Sequence, residues 1–233
     1  MNHDAKTSMW THYLRNWPAN IAEARAIQDH LRHKVRICPG PEHVTHVAGL
    51  DVSYPRTRSK PARAAAVVMH MQDLSIVDQA VVEQSVHFPY LPGYLSFREV
   101  PCLLAVLDRL NVSFDVIICD GQGLAHPKGF GLACHLGVLT DMPVVGVAKS
   151  RLFGRHAPVS ESKGAWQPLL DNDENVIGAV LRTRDRVKPV FVSAGHRMDT
   201  PSALTLVQAL SPRYRIPEPI RSADHLCARP NSE

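Results

Sequence analysis

The change of hydrophobic periodicity along the chain restricts its fold more than any other feature. Three segments rich in Val, Ile and Ala follow one another and are joined by polar or short turns: His46 to Tyr54, Ala64 to Met71 and Ser75 to Glu83. Such segments predict three successive antiparallel strands. Before them, Asn20 to Val35 has apolar residues at three- and four-residue spacing after Pro18, which predicts an amphipathic helix.

After these strands the pattern alternates between helices and strands. A helix is predicted from Ser96 to Leu110, another from Gly131 to Leu139, and short apolar strands are predicted at Asp115 to Cys119 and Pro143 to Ala148. This order is typical of parallel strands. Further elements are predicted as strands at Val176 to Arg184 and Val190 to Ser193 and a helix at Pro201 to Leu210. The sequence therefore predicts an α/β fold, with a mixed sheet of an antiparallel three-strand meander plus parallel strands, flanked by helices.

Composition narrows the class of protein. Hydrophobic residues make up 45% and charged residues 21% of the 233 residues, as in folded globular proteins. No repeat or linker divides the chain, so we expect a single domain over residues 1–233, with a loose tail after about Ala228. The formal net charge of +4 suits a polyanionic partner such as a nucleic acid.

The sequence also indicates the cellular compartment of the protein. No segment approaches the roughly 20 apolar residues that cross a bilayer, and the N-terminus lacks a signal-peptide pattern. The five cysteines are scattered and form no C-x-x-C pair, so neither a disulfide framework nor a zinc site is predicted. We expect a cytoplasmic protein without a membrane partner.

Three acidic residues stand where a negative charge needs an explanation. Asp51 lies inside the apolar strand of GLDVSY, and Asp120 ends the apolar strand DVIICD. A buried carboxylate is costly unless it is paired or bound to a cation, and ligands bind at the carboxyl ends of sheet strands. Glu99, in the first turn of the next predicted helix, could complete an oxygen site for Mg²⁺ or Mn²⁺. Such an ion would activate water for attack on a phosphodiester.

Each of these carboxylates has a structural alternative. Asp51 could form a buried salt bridge, and Asp120 could be a cap or turn residue before Gly121. Glu99 could form a capping box with Ser96 and only satisfy a free amide at the helix start. The spacing alone does not decide between these roles and metal binding.

Three basic residues could assist chemistry on a phosphodiester. The imidazoles of His126 and His225 could move a proton or contact a phosphate near neutral pH. Lys149 follows the apolar strand VVGVA, so its ammonium group could meet a phosphate. The alternatives are structural histidines, since the chain has 13, and a solvated lysine at a strand end.

Aromatic rings and stiff prolines alternate in FPYLPGY, residues 88–94. With Pro89, Tyr90, Leu91 and Pro92 at its centre, this loop is predicted to be a rigid apolar projection that could wedge between bases. The alternative is a loop packed on its own core. Further along, Gly121 and Gly123 flank Gln122, where they could let backbone amides approach a flat base or mark only a tight turn.

Long motifs in a fixed order resemble those of the endonuclease V family. They are GLDVSY, FPYLPGYLSFRE, DVIICDGQGLAHPKGFGLACHLG, PVVGVAKS, FVSAGHRMD and RIPEPIRSADH. The resemblance covers about residues 17–226 and leaves out residues 1–16 and 227–233. It implies a ribonuclease-H-like fold and an enzyme that recognises deoxyinosine in DNA, the product of adenine deamination. Such an enzyme hydrolyses the second phosphodiester on the 3′ side, leaving a 3′-hydroxyl and a 5′-phosphate, and so starts DNA repair.

The resemblance also implies roles for individual residues. Asp51, Glu99 and Asp120 would bind catalytic Mg²⁺, which Mn²⁺ could replace. Pro89 to Pro92 would be the strand-separating wedge, with Tyr90 at its tip. The remaining implied site residues line the base pocket (Leu95, Gly121 and Gly123) or lie near the cut strand and the active site (Lys149, His126 and His225).

Other functions remain open on the sequence alone. Inosine in RNA offers the same base to the pocket, so an inosine-specific endoribonuclease is one alternative. A structure-specific nuclease on the same fold would share the carboxylates without needing the wedge. A nucleic-acid-binding module without activity would not need the carboxylates at all. We expect a monomer in each case.

Overall fold

One mixed sheet organises the fold. The computed structural model of the chain describes residue 10 and residues 13–55 and 61–228. Its strands are β1 (His46–Ser53), β2 (Ala62–His70), β3 (Ile76–Gln84), β4 (Val116–Asp120), β5 (Val144–Ala148), β6 (Trp166–Leu170), β7 (Val176–Leu181) and β8 (Val190–His196). They form an eight-stranded sheet in the order β3-β2-β1-β4-β5-β8-β7-β6.

The pairing of the strands confirms the predicted fold class. β1, β2 and β3 form an antiparallel meander, and β1, β4 and β5 run parallel to one another. The far half of the sheet is antiparallel again, since β8 pairs with β5, and β7 lies between β8 and β6. The parallel strands are near-continuous apolar runs because both of their faces are covered.

Helices flank the sheet. They are α1 (Ile21–Leu31), α2 (Leu95–Leu107), α3 (Leu132–Thr140), α4 (Thr200–Ala209) and α5 (Glu218–Ala228), and a short 3₁₀ helix, Arg32–Lys34, follows α1. α1 begins after Asn20, whose side chain accepts a hydrogen bond from the Glu23 amide at 3.0 Å, as an N-cap does. None of the helices in the described ranges combines the length and the apolar character that a membrane crossing requires.

The two faces of the sheet bury different sets of side chains. Leu50 and Ile117 pack with α2 and α3, whereas Val47 and Ile118 pack with α4 and α5. Because successive side chains of a strand point to opposite faces, Asp51 and Asp120 belong to the same face as Val47 and Ile118. This is the face on which α5 lies.

A glycine lets α5 approach β1 closely. A Cβ atom at Gly49 would lie only 2.3 Å from the carbonyl carbon of Pro219, so any larger residue would push α5 away. α5 is also tied to the strand by the thiol of Cys227, which lies 3.3 Å from the carbonyl oxygen of Asp51. The helix is therefore positioned beside the carboxylate of Asp51.

Two elements of the fold were not predicted from the sequence, and one residue of the N-terminal segment belongs to the core. β6 and α5 were not predicted: β6 is an edge strand interrupted by Pro168, and α5 begins beside Pro217 and Pro219. Trp10, in the segment outside the family resemblance, is buried in the core beside α2 and α3. Residues 1–9, 11–12 and 229–233 lie outside the described residues.

Candidate active site

Asp51 and Asp120 lie at the ends of neighbouring parallel strands. The register of β1 and β4 ends with Leu50 paired to Cys119, and the two aspartates follow that pair directly. Both side chains point to the face that α5 covers. The sheet therefore places two carboxylates next to each other at its carboxyl edge, as the sequence predicts.

Glu99 joins this pair from α2, and the alternative capping role is wrong. α2 begins at Leu95 after the N-cap Tyr94, so Glu99 is its fifth residue and no side chain caps the helix. The Ser96 hydroxyl instead shares a 3.0 Å hydrogen bond with Nδ1 of the buried His135. Glu99 is only 9% exposed, so its carboxylate needs a different explanation.

The three carboxylates influence one another. Burial, followed by repulsion from Asp120 and other carboxylates, raises the pKa of Asp51 to about 7. Burial, followed by repulsion from Asp51 and Asp120, raises the pKa of Glu99 to about 8. Such shifts cluster at functional sites, because negative charge is held there against a cost.

Lys149 and Asp224 complete the charged site. The Lys149 ammonium lies 2.6 Å from Oδ2 of Asp120, so these two residues that the sequence analysis singles out are in contact. Partial burial opposes protonation of Lys149, but its hydrogen bond to Asp120 and the nearby charges outweigh that effect and raise its pKa. Asp224, on α5, repels Asp51 and attracts Lys149. Sequence reasoning missed Asp224, although it stands in the SADH motif beside His225.

The two predicted histidines occupy different surroundings. His225 follows Asp224 on α5 and its side chain is exposed. His126 is buried, and Nδ1 accepts a hydrogen bond from the Lys128 amide at 3.1 Å. Nε2 therefore carries the proton and donates to the Gly93 carbonyl at 3.0 Å. Burial lowers the pKa of His126, which favours the neutral ring, and its hydrogen bond joins the segment after β4 to Gly93.

The donor set fits a hard divalent cation. Asp51, Glu99 and Asp120 offer only oxygen ligands, and a cation among them would relieve the repulsion that raises two of their pKa values. Within residues 10, 13–55 and 61–228, no group of three or more His, Cys, Asp or Glu side chains is already drawn together closely enough to hold an ion. The charges of the three carboxylates thus act on one another, and the side chains would move closer together to bind a cation.

Residues 88–94, here called the aromatic loop, project beside this site. Phe88 is buried and Leu91 packs against the same small cluster, whereas Tyr90 is 67% exposed. The loop is held at both ends, since Arg98 donates to the Phe88 carbonyl at 2.9 Å and His126 donates to the Gly93 carbonyl at 3.0 Å. The loop therefore combines an anchored base with a free aromatic tip.

Gln28 of α1 is a further anchor of the aromatic loop that sequence reasoning missed. Its buried amide lies 3.3 Å from the Gly93 carbonyl and 3.2 Å from the Phe130 carbonyl, and it donates to both. One side chain thus joins α1, the base of the loop and the segment before α3. No charge or motif marks Gln28 in the sequence.

A small cavity of about 40 Å³ opens between the aromatic loop and the segment after β4. Its lining residues are Gly93, Leu95, Ser96, Gln122, His126, Gly131, Leu132 and Leu152. Of the residues predicted to form the base pocket, only Leu95 lines it. Gly121 and Gly123 have packing roles: a Cβ atom at Gly121 would lie 3.0 Å from Leu132, and one at Gly123 would lie 2.0 Å from the Ala194 carbonyl oxygen.

Comparison with known proteins agrees with this geometry. The family model described as Endonuclease V matches residues 29–225. The endonuclease V of Roseiflexus castenholzii is 47% identical over 213 residues, which are 91% of this chain and 94% of that protein. A crystal structure of the Streptomyces avermitilis endonuclease V superposes with a TM-score of 0.86 at 48% identity, covering 91% of this chain and 92% of that one.

A further solved structure is a nucleic-acid complex. It contains Ciona intestinalis endonuclease V and a 24-mer DNA with an inosine followed by a ribo-adenosine. The similarity covers 88% of this chain and 95% of that chain, with a TM-score of 0.79 at 28% identity.

Proposed function

Because this chain belongs to the endonuclease V family, we propose that it is a Mg²⁺-dependent endonuclease that recognises deoxyinosine in DNA and hydrolyses the second phosphodiester on its 3′ side. The products would be a 3′-hydroxyl and a 5′-phosphate, and the nick would start repair. One observation carries the proposal: Asp51 and Asp120 follow the last paired residues of two neighbouring parallel strands, and Glu99 of α2 is near enough for their charges to raise its pKa. A structure-specific nuclease would not need the anchored aromatic loop beside them.

The charged residues of the site would have different roles in the hydrolysis of the phosphodiester. Asp51, Glu99 and Asp120 would hold Mg²⁺, which supplies Lewis acidity and an activated water when it is bound. Lys149, held at Asp120 by a 2.6 Å contact, would present its ammonium group to a phosphate of the cut strand. Asp224 would orient Lys149 and add negative charge beside Asp51. His225, exposed on α5, could reach the same strand.

The apolar residues recognise the lesion. The exposed ring of Tyr90, with Pro89, Leu91 and Pro92, would enter the duplex and separate the strands. The extruded base would lie against Leu95 at the small cavity beside the loop.

Gly121 and Gly123 would keep the backbone after β4 close to this cavity through their tight packing. His126 would hold the loop in place through Gly93.

Inosine in RNA is the second candidate substrate. The Ciona intestinalis enzyme was solved with an inosine followed by a ribonucleotide, so a relative binds a strand with ribose at that position. We expect the cavity to accept the base from either sugar, because inosine in DNA and in RNA carries the same base.

The decisive experiment measures the length of the cleavage product. Labelled duplex DNA with one deoxyinosine is incubated with the protein and Mg²⁺ or EDTA, beside an inosine-free duplex and a strand with a ribonucleotide after the inosine. We expect a Mg²⁺-dependent nick one nucleotide beyond the inosine, absent with Asp51→Asn. Cleavage of the inosine-free duplex would contradict lesion specificity, and cleavage of the ribonucleotide strand alone would favour the RNA substrate.

The assembly and location of the protein belong to the same proposal. We expect a monomer that works in the cytoplasm, because the fold buries its core within one chain and needs no membrane partner. Analytical ultracentrifugation would measure the assembly, and a dimer at micromolar concentration would contradict it.

A further inference from the structure

The connection between β7 and β8, residues 182–189, concentrates positive charge at the surface. This segment, here called the basic hairpin, has the sequence RTRDRVKP and joins two antiparallel strands. Its exposed cations are Arg184, Arg186 and Lys188. Across the part of the chain that the structure describes, none of these three side chains forms an ion pair. Their charge is therefore available to a negatively charged partner.

The basic hairpin lies directly beside the candidate active site. β8 runs antiparallel to β5, so the end of the hairpin lies at the edge of the sheet where Lys149 follows β5. Nη2 of Arg215 donates to the Lys149 carbonyl at 2.6 Å and to the Pro189 carbonyl at 2.8 Å. One guanidinium group thus joins the hairpin to the residue that would meet a phosphate of the cut strand.

Hydrogen bonds hold the basic hairpin in shape. The guanidinium group of Arg182 donates to the carbonyls of Val159 and Ser160, each at 3.0 Å. The hydroxyl of the buried Thr183 donates to the Arg215 carbonyl at 2.7 Å. A surface that is ordered before its partner arrives loses less conformational entropy on binding, so its charges contribute more to the affinity.

The backbone conformation at Arg186 is costly for a residue with a side chain. Its φ of 56° lies in the left-handed region, where glycine is more stable than any residue with a Cβ atom. The geometry of the turn alone would therefore favour glycine. Such conformations are found at sites that bind a partner. An arginine here places a guanidinium group in the turn of the hairpin.

We propose that the basic hairpin binds the phosphate backbone of DNA outside the catalytic site. The proposal rests on the function proposed above, because a strand that reaches Lys149 at the cut continues past it, and the hairpin adjoins that position. Lysine and arginine contacts to phosphates carry no sequence information, so the hairpin binds damaged and undamaged DNA alike. It contributes to the affinity for DNA and leaves the hydrolysis to the catalytic site.

The test measures binding without cleavage. Fluorescence anisotropy with an undamaged duplex in EDTA gives the Kd at several salt concentrations, so neither inosine recognition nor hydrolysis affects the result. The double variant Arg184→Gln/Lys188→Gln removes two cations and leaves the turn at Arg186 unchanged. The matched control Lys34→Gln/Arg109→Gln removes the same charge from exposed residues near the opposite edge of the sheet.

We expect the double variant to raise the Kd about 10-fold or more at about 0.1 M salt. The slope of log Kd against the logarithm of the salt concentration should fall by about two, because each lost phosphate contact removes about 0.9 from it. The control should change both quantities much less, although its net charge is the same. Single-turnover cleavage of deoxyinosine DNA should fall less at saturating than at subsaturating protein.

Two results would overturn the inference. One is a double variant whose Kd and salt dependence match those of the control, and the other is an equal loss of cleavage rate at saturating and subsaturating protein. Weaker binding by the double variant, together with no cleavage of deoxyinosine DNA by the wild type, would support the inference and contradict the proposed function.

Discussion

At the residue scale, the balance of charge around Asp51 depends on a few side chains. Asp120, Asp224 and Glu99 contribute negative charge there, and Lys149 contributes positive charge at 2.6 Å from Asp120. Repulsion between carboxylates lowers the stability of the fold. Active sites commonly retain such destabilising groups because the activity requires them. Removing the charge of a residue that takes part in cleavage should therefore lower the activity without lowering the stability of the fold.

Asp224 gives the first prediction. Asp224→Asn keeps the shape of the side chain and removes a charge that repels Asp51. We expect cleavage of deoxyinosine DNA to fall about 10-fold to 100-fold, while the melting temperature stays equal or rises. Activity assays and thermal denaturation measure the two effects. The control is Asp173→Asn, in the exposed turn between β6 and β7. Unchanged activity of Asp224→Asn would remove the residue from the site.

Asp51 and Asp120 were predictable as site residues from the sequence, whereas Asp224 and Gln28 were not. Asp51 and Asp120 stand out in the sequence because they interrupt or end apolar strands, where ionised groups are costly. Gln28 carries no such signal, because an amide is ordinary on any surface. Its importance comes from partners 65 and 102 positions away in the chain, which only the folded structure brings near.

At the scale of elements, the aromatic loop should act only where strands must be separated. We predict that Tyr90→Ala changes the free energy of unfolding by less than about 0.5 kcal/mol, since its ring is mostly exposed. Cleavage of duplex deoxyinosine DNA should fall about 10-fold or more, with a smaller loss on single-stranded DNA. Rates on both substrates are compared with those of Ile76→Ala, an exposed apolar residue on β3. Equal losses on both substrates would argue against a wedge.

α1 is expected to stabilise the aromatic loop through the side chain of Gln28. Gln28→Leu leaves the Gly93 and Phe130 carbonyls without the amide that joins them. We predict a loss of about 1–3 kcal/mol in the free energy of unfolding, because the Phe130 carbonyl loses this donor and the Gly93 carbonyl keeps only His126. Urea denaturation measures the loss, and Gln208→Leu, an exposed residue on α4, serves as control. A variant as stable as the wild type would show that the two hydrogen bonds do not tie α1 to the loop.

Most helices and strands were predictable because their periodicity is strong, and the exceptions have local causes. The predicted meander agrees with β1, β2 and β3 within about two residues at each end. β6 was missed because Pro168 interrupts a short edge strand whose only neighbour in the sheet is β7. α5 was missed because Pro217 and Pro219 stand at its start. Its close packing on β1 stabilises it.

At the scale of the whole molecule, the carboxylates make stability depend on pH. The folded protein holds protons on Asp51 and Glu99, whose pKa values are about 7 and about 8, under conditions where the unfolded chain has released them. Folded carboxyls with raised pKa values make the protein less stable as the pH rises from about 4 to about 8. We therefore predict a metal-free protein that is more stable at pH 5 than at pH 8.

Asp51→Asn tests the origin of this dependence. Near pH 4 the variant and the wild type should be equally stable, because Asp51 is then uncharged in the folded protein. Above pH 7 the variant should be more stable by up to roughly 4 kcal/mol, the value that corresponds to raising the pKa of Asp51 from 3.8 to about 7. Denaturation in EDTA across this range measures the difference. A variant that is less stable than the wild type at pH 8 would show that Asp51 is a favourable ion-pair partner instead.

Binding of Mg²⁺ should release the protons that burial and repulsion keep on the site. A cation among Asp51, Glu99 and Asp120 favours their ionised forms, so metal binding and proton loss are linked. At pH 6.5 we predict release of about one to two protons per Mg²⁺ bound, from Asp51 with its pKa of about 7 and Glu99 with its pKa of about 8. At pH 9 almost none should be released.

Isothermal titration calorimetry in two buffers with different ionisation enthalpies measures this number directly. Glu99→Gln cannot release a proton at that position, so its proton release at pH 6.5 should be smaller than that of the wild type by up to one. The affinity for Mg²⁺ should also weaken as the pH falls, by up to about tenfold per pH unit for each linked proton. Equal binding heats in both buffers at pH 6.5 would mean that Mg²⁺ binds without these carboxyls, since a cation bound by them must displace their protons.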